Sequence, residues 1–214
     1  NWDEFKEALT YFHTPAQNFV FAATDGTIAY RANGLIPIRK KGDSSVPVPG
    51  WTNEYEWEGF IPWEELPTIV NPKEGFISTA NNKIVTDDYP YHITNTWAQP
   101  YRQQRIRDVL TSKDKFTVED MLQLQFDQHN LQAEEFVPIL LDILTNKKDE
   151  LREIDKKVLQ QFEGWDFVDR KEDGEPLVFH KWMEEFANVL FEDSIPKEID
   201  NLFEGKSQIV DQMI

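Results

Sequence analysis

Cysteine is absent from the 214 residues of the chain. This absence excludes disulfide bonds, thiolate zinc sites and a cysteine nucleophile within the chain. Apolar runs are also short, and none approaches the roughly 20 residues that a membrane-spanning helix needs, so we expect no membrane partner. The chain begins Asn1-Trp2-Asp3, without a Met, a basic flank or an apolar stretch, so no signal peptide is expected within it.

Basic residues are scarce, with 22 Lys and Arg against 39 Asp and Glu and a formal net charge of −17. This charge would repel a phosphate backbone, so nucleic acid is excluded as an expected partner. The acidic excess is spread along the chain rather than gathered in a tail, which is typical of a solvated surface. Apolar residues make up 40% of the chain, which predicts a sizeable packed core.

Several chemical motifs are also missing. No Gly-rich phosphate loop, Gly-x-Ser-x-Gly elbow or His-Glu-x-x-His pair occurs in the sequence. A calcium loop would need a Glu where the segment that begins at Asp169 has His180. The four histidines are scattered, which is typical of surface or partly buried side chains. The residues therefore predict no metal site and no cofactor site within this chain.

Residues 1–98 have the pattern of an α/β part. Apolar residues at helical spacing, starting at Trp2, predict a first helix. Two apolar runs, at 18–24 and 27–31, flank Asp25-Gly26 and predict a β-hairpin, because Gly accepts positive φ in a tight turn. The first run is apolar on both faces, so we expect its sheet to be covered on both sides.

Residues 32–98 are rich in Pro, Gly and Trp, which predicts a long ordered loop layer. Four aromatic side chains are expected to hold this layer in place: Trp51, Tyr55, Trp57 and Trp63. Residues 76–80 form a predicted strand that leads into Asn81-Asn82, a pair suited to a turn or to left-handed backbone.

Residues 99–214 have the pattern of an all-helical region. A capping box is expected at Thr117 and Asp120. Further helices are predicted at 102–110, 132–145, 149–163, 176–191 and 196–204. The fold class is therefore α/β (α+β), and because a hairpin with one or two extra strands makes a poor sheet, further strands are expected from polypeptide outside this chain.

A series of segments in the first half resembles the β-chain of the penicillin acylase family, the N-terminal-nucleophile amidases, in order and spacing. These segments are Pro15-Ala-Gln-Asn18; Thr24-Asp-Gly-Thr-Ile-Ala-Tyr30; Gly34-Leu-Ile-Pro-Ile-Arg39; Val46-Pro-Val-Pro-Gly50; Tyr55-Glu-Trp-Glu-Gly59; Asn71-Pro72; Gly75-Phe-Ile-Ser-Thr-Ala-Asn-Asn82; Tyr89-Pro90; and Tyr101-Arg-Gln-Gln-Arg-Ile106. Beyond residue 110 the resemblance fades to a helical pattern. It implies that the α/β part belongs to the αββα sheet layers of that fold.

The resemblance also implies an activity. Family members are precursors that cut themselves into two chains, and the new N-terminal Ser of the β-chain attacks the substrate amide with its own α-amine as base. That nucleophile would lie outside this chain, which would be inactive alone. The implied partners are the α-chain, the other β-chain segments and a small linear amide, such as a β-lactam side chain or an N-acyl homoserine lactone. A periplasmic or secreted location is expected for the parent enzyme.

Two residues match the active site of the family, and a third supports one of them. Asn81 matches the Asn whose side-chain amide helps to hold the oxyanion, and Asn82 is expected to orient it. Arg102 matches an active-site Arg that orients the reacting groups or contacts the leaving half of the substrate. Taken without the resemblance, the Asn pair is a turn that satisfies its own backbone, and Arg102 is a helix-surface residue paired with an acid. Ser78 and Thr79 can support Asn81 by hydrogen bonds or can be plain strand residues.

The resemblance leaves calcium and two rival functions open. Relatives often hold calcium, but the carboxylate expected after the Asn pair has no match near Ile93, so calcium is possible in the parent and not predicted here. One rival is a non-catalytic acidic interaction module, and the other is a family member that has lost activity. The acylase hypothesis requires Asn81 and Arg102 to face one cleft.

Overall fold

The computed structural model describes residues 1–199 and Val210. The chain divides into two compact units, unit 1 at Asn1–Pro100 and unit 2 at Tyr101–Ile214. The predicted α+β class is confirmed, because strands lie in unit 1 and long helices in unit 2. The strands are β1 (Gln17–Ala22), β2 (Ile28–Asn33), β3 (Pro37–Arg39), β4 (Trp57–Phe60) and β5 (Thr68–Val70). The helices are α1 (Trp2–Leu9), α2 (Tyr101–Thr111), α3 (Val118–Gln125), α4 (Leu131–Asn146), α5 (Glu153–Phe162) and α6 (Glu175–Phe191).

The predicted hairpin is confirmed. Strands β1 and β2 pair antiparallel, and Gly26 takes φ +94° in the turn between them. Strand β5 adds to the other side of β2, which gives a three-stranded sheet in the order β1-β2-β5. Strands β3 and β4 form a separate antiparallel pair.

Helix α1 covers one face of the three-stranded sheet through aromatic contacts. The Phe5 ring lies 5.2 Å from that of Phe21 between centroids, and the ring of Phe12, just after the helix, lies 5.1 Å from that of Phe19. Val20 points to the opposite face and is 55% exposed. Helix α1 covers the face that carries Phe19 and Phe21, and the opposite face is only partly covered within this chain, so cover on both faces stays a prediction for the parent.

A buried arginine joins the sheet to the loop layer. Arg31 is 1% exposed, and its guanidinium lies 3.9 Å from the centroid of the Trp63 ring. It donates hydrogen bonds to Asn33 Oδ1 at 3.1 Å, to Thr68 Oγ1 at 2.6 Å and to the Trp63 carbonyl oxygen. Burial lowers the pKa of Arg31, and the charge of Glu64 partly opposes that shift. Because every guanidinium nitrogen has an acceptor, the burial of this charge is largely compensated.

The loop layer is only partly as predicted. Trp63 does hold it, but Trp51 is 87% exposed and Trp57 is 61% exposed, so the prediction is wrong for these two side chains. A small apolar cluster packs the layer instead, formed by Ile36, Ile61 and Leu66 with Ile38, Trp63, Tyr91 and Ile93. The predicted strand at 76–80 is also wrong. That segment is irregular, and at its end the N–H of Ala80 bonds to the side chain of Asn82.

Unit 2 is a helical unit with its own core. The core consists of Ala133, Phe136, Val137, Phe162, Trp165, Phe179, Met183, Ala187 and Val210. The predicted capping box at Thr117 and Asp120 is confirmed, and so are the helices predicted at 102–110, 132–145 and 176–191.

Two of the predicted helices in unit 2 differ in extent or lie partly outside the described residues. The helix predicted from 149 starts only at Glu153, because Lys148–Glu150 forms a 3₁₀ turn before it. The helix predicted at 196–204 lies mostly outside the described residues, and 196–199 are not helical. None of the helices in the described part of the chain is long and apolar enough to cross a membrane.

Candidate functional site

Asn81 stands in a defined backbone conformation within unit 1. Its φ is +63°, in the left-handed region that Asn accepts more readily than most residues. Its carbonyl oxygen accepts a hydrogen bond from the N–H of Ala98 at 2.9 Å. Asn81 is among the exposed residues, so its amide lies at the surface of the unit at a position that the backbone fixes.

Asn82 closes the turn across Asn81. Its Oδ1 accepts from the N–H of Ala80 at 3.0 Å, and its Nδ2 donates to the carbonyl oxygen of Lys83 at 3.0 Å. This is the self-satisfied Asn turn that the sequence allowed, but Asn82 is the residue that makes these bonds. A turn held by Asn82 is compatible with a separate role for the amide of Asn81.

The segment before Asn81 is tied to the sheet by a bridge that the sequence analysis did not assign. The phenol of Tyr30 donates to Asn18 Oδ1 at 2.6 Å, and Asn18 Nδ2 donates to Thr79 Oγ1 at 3.3 Å. We call these three residues the Tyr30–Asn18–Thr79 bridge. Burial raises the pKa of Tyr30, so its hydroxyl stays neutral and keeps its proton to donate. Asn18 lay in a segment of the family resemblance, but a contact across 61 positions leaves no local signal.

Arg102 is the second residue of α2 and has an exposed side chain. It lies in unit 2, whereas Asn81 lies in unit 1. Their shared cleft therefore stays a prediction.

Arg105, on the same helix, forms a two-point ion pair with Asp127, with N–O distances of 2.9 Å and 2.6 Å. This hydrogen bonding raises the pKa of Arg105 and lowers the pKa of Asp127. The pairing gives Arg105 a structural role that connects α2 to the segment after α3.

The described residues offer no cluster of metal ligands. Among residues 1–199 and Val210, no three His, Asp or Glu side chains lie close enough together to hold an ion. Ile93, where the resemblance would have a carboxylate, packs against the cluster formed by Ile36, Ile61 and Leu66. The chemistry of these side chains does not fit a calcium ligand set.

Unit 2 contains an apolar cavity of about 310 Å³ that the sequence analysis did not predict. It lies among α4, α5 and α6, and its lining includes Leu141, Val158 and Trp182. Asp155 is the carboxylate in the lining, and its oxygens accept from the Arg152 side chain at 2.9 Å and 2.8 Å. The cavity therefore lacks the paired polar groups that catalysis needs.

Comparisons with known proteins agree on one family. The family model described as penicillin amidase matches residues 1–214. The chain is 36% identical over 110 residues to the penicillin acylase 2 proenzyme of Pseudomonas sp. (strain SE83), which covers 51% of the chain. It is 31% identical over 133 residues to the acyl-homoserine lactone acylase QuiP of Pseudomonas fluorescens, and 31% identical over 150 residues to the penicillin G acylase of Escherichia coli. These two matches cover 62% and 65% of the chain.

A solved structure shares the fold. The thermostable penicillin G acylase of Alcaligenes faecalis matches with a TM-score of 0.72 at 22% identity, over 93% of this chain. At that identity the match establishes the fold alone, and it supports the predicted N-terminal-nucleophile architecture. The chain spans only 14%, 16% and 17% of the three curated relatives named above, and 37% of the solved chain.

Proposed function

The chain belongs to the penicillin amidase family, and on this premise we propose that it is an internal part of an amidase with an N-terminal Ser nucleophile outside this chain. The parent enzyme hydrolyses a linear amide to a carboxylic acid and an amine. The relatives supply two substrate classes, since their names are those of penicillin acylases and acyl-homoserine lactone acylases. The side chains of β-lactams and the acyl groups of homoserine lactones are therefore the proposed substrates.

The conformation of Asn81 is the observation that carries this proposal. The residue that matches the oxyanion Asn has left-handed backbone, a turn closed by its neighbour and an exposed side chain. An oxyanion hole needs a donor that is already in place before charge develops on the substrate oxygen. The hydrogen bonds at Ala80 and Ala98 hold the backbone that carries the Asn81 amide, which supports this role.

The proposed roles follow from the chemistry of each group. The nucleophile adds to the amide carbon, and the negative charge that forms on the carbonyl oxygen is held by the NH₂ of Asn81 and by a backbone N–H from outside this chain. Asn82 holds the turn, and the guanidinium of Arg102 orients the reacting groups. Calcium is possible in the parent enzyme and has no part in the proposed step. Any calcium of the parent would take its ligands from other segments.

The proposed partners are the remaining parts of the enzyme. The α-chain and the other β-chain segments would complete the active site, so the 214-residue chain alone would be inactive. We also propose a periplasmic or secreted location for the parent enzyme, as expected from the family resemblance.

The test compares three variants of the full-length parent protein. Asn81→Ala removes the amide, and Asn81→Gly removes it while keeping a residue that accepts positive φ. Asn53→Ala is the matched control, because Asn53 is also an exposed Asn of unit 1. Activity is measured on a chromogenic phenylacetyl amide and on a series of acyl homoserine lactones, and self-cleavage is followed by gel electrophoresis.

Both Asn81 variants should process normally and lose roughly 10²–10³ in kcat, the usual effect of losing one oxyanion donor. Asn53→Ala should keep full activity. Equal activity of Asn81→Gly and the wild type would remove Asn81 from the oxyanion hole. A processed wild type that cleaves no amide would instead favour an acidic interaction module or a family member that has lost activity.

A further inference from the structure

The position of Asn81 relative to the sheet depends on a contact that lies outside its own turn. Within the turn, Asn82 bonds to Ala80, and Ala98 bonds to the backbone of Asn81. These bonds set the local shape of the segment. The bond between Asn18 and Thr79 connects this segment to strand β1, two residues before Asn81. We infer that Asn18, held by Tyr30, is a positioning residue for Asn81, an inference that rests on the function proposed above.

The hydrogen bonds of the bridge run from Tyr30 through Asn18 to Thr79. Tyr30 is a buried residue of β2, the central strand of the sheet, and its phenol remains protonated because burial disfavours the charged form. It can therefore donate to Asn18 at all ordinary pH values. Since the phenol takes Asn18 Oδ1 as its acceptor, the NH₂ of Asn18 must point away from the phenol and toward Thr79.

The location of the bridge identifies the face of the sheet that carries the segment. Asn18 and Val20 are two residues apart on β1, and Val20 and Tyr30 are cross-strand partners. These side chains share the face opposite α1, because alternate residues of a strand point to opposite faces. Thr79 is thus hydrogen-bonded to this face of the sheet. A rigid support of this kind helps to place the Asn81 amide accurately for the charge that develops on the oxyanion.

Removal of the bridge should displace Asn81 without unfolding its turn. Asn18→Ala leaves the bonds of Asn82 and Ala98 in place, so the segment should keep its shape but lose the Asn18–Thr79 hydrogen bond to the sheet. A misplacement of about 1 Å can cost about 100-fold in rate, so we expect a fall in kcat of roughly 10- to 100-fold. KM should change by less than about twofold, because the lost interaction acts on the transition state rather than on ground-state binding.

The experiment uses the full-length protein and combines each bridge variant with Asn81→Gly. In the Asn81→Gly background, Asn18→Ala should lower kcat by less than about twofold, since the donor that it positions is already gone. Asn18→Asp should recover most of the activity, because its carboxylate can accept from both the Tyr30 and Thr79 hydroxyls. Tyr30→Phe keeps the ring, removes one hydroxyl and should lower kcat several-fold, which provides a second test if Asn18→Ala folds poorly.

The outcomes separate the two proposals. Equal losses of kcat from Asn18→Ala in both backgrounds would overturn the positioning role, because they would indicate a general effect on folding. A change in KM alone would also overturn that role, and so would full activity of both Asn18→Ala and Tyr30→Phe. Full activity of the Asn81→Gly single variant would instead overturn the proposed oxyanion role of Asn81, and a processed wild type that cleaves no amide would overturn the proposed function. Asn53→Ala serves as the control for truncation of an exposed Asn in unit 1.

Discussion

Replacement of Arg31 by Ala should destabilise unit 1 more than any surface change of the same kind. The substitution removes the three hydrogen bonds to Asn33, Thr68 and Trp63 and the stacking of the guanidinium on the Trp63 ring. It leaves the three acceptors without their donor in a place that is closed to water, since Arg31 is almost fully buried. Arg31→Lys keeps the charge but loses the planar fork, so it should have an intermediate effect.

The size of the effect follows from burial. A hydrogen bond that involves a charged group contributes about 1.5–3 kcal/mol net, but Ala also relieves the cost of burying the guanidinium. Three neutral acceptors left without a donor cost about 1–3 kcal/mol each, and after the relief of burial the net loss should be about 3–5 kcal/mol. With an m-value of about 2 kcal/mol/M, the urea midpoint of unit 1 should fall by about 1.5–2.5 M.

The assay is urea unfolding of the 214-residue chain, followed by far-UV circular dichroism and tryptophan fluorescence. Arg152→Ala is the matched control, because Arg152 also makes two side-chain hydrogen bonds, both to Asp155, but is exposed. Its midpoint should not change measurably, since exposed ion pairs contribute little. If Arg31→Ala shifts the midpoint no more than Arg152→Ala does, the reasoning from burial is refuted.

Two further predictions concern unit 2. Phe179→Ala should lower the free energy of unfolding by about 3–5 kcal/mol, because Phe179 is fully buried in the core. Phe186→Ala on the same helix should lower it clearly less, because Phe186 is 36% exposed. Urea unfolding measures both values. The pKa of Asp127 is lowered in the folded state by its hydrogen bonds with Arg105, so the unfolded state binds the proton more readily. The stability that the Arg105–Asp127 pair contributes should be fully present above the unfolded pKa of about 3.9 and should be lost as the pH falls through the folded pKa. Urea midpoints measured against pH should show this loss in the wild type and not in Asp127→Asn.

Local features of the fold could be predicted from the sequence. The hairpin depends on Asp25-Gly26, and the helix start at Thr117 depends on a side chain three positions away. Both signals lie within a few residues. The features that failed were inferred from residue type alone. Trp51 and Trp57 are exposed although aromatic residues usually bury, and the apolar segment 76–80 is irregular rather than a strand.

The candidate site also combines features that the sequence predicts with features that it does not. The sequence indicated that the Asn pair suits left-handed backbone, and Asn81 has that conformation. The proposed role of Asn81 came from the family resemblance. An oxyanion donor is recognised by its position relative to the nucleophile and to a second donor, and a short segment contains neither. The contact between Asn18 and Thr79 spans 61 positions and depends on how the segment crosses the sheet, so no periodicity or spacing could have revealed it.

The apolar sheet face opposite α1 has a consequence for how such a chain is made. Val20 is 55% exposed and Ile69 is 47% exposed on either side of Tyr30, in register across the three strands. A free chain that exposes this face would associate with other copies of itself as readily as with the segments of the parent that cover the face. In a single precursor, as proposed for the parent, the covering segments are tethered at an effective concentration on the order of millimolar. Folding before self-cleavage would then let the correct contact form ahead of aggregation.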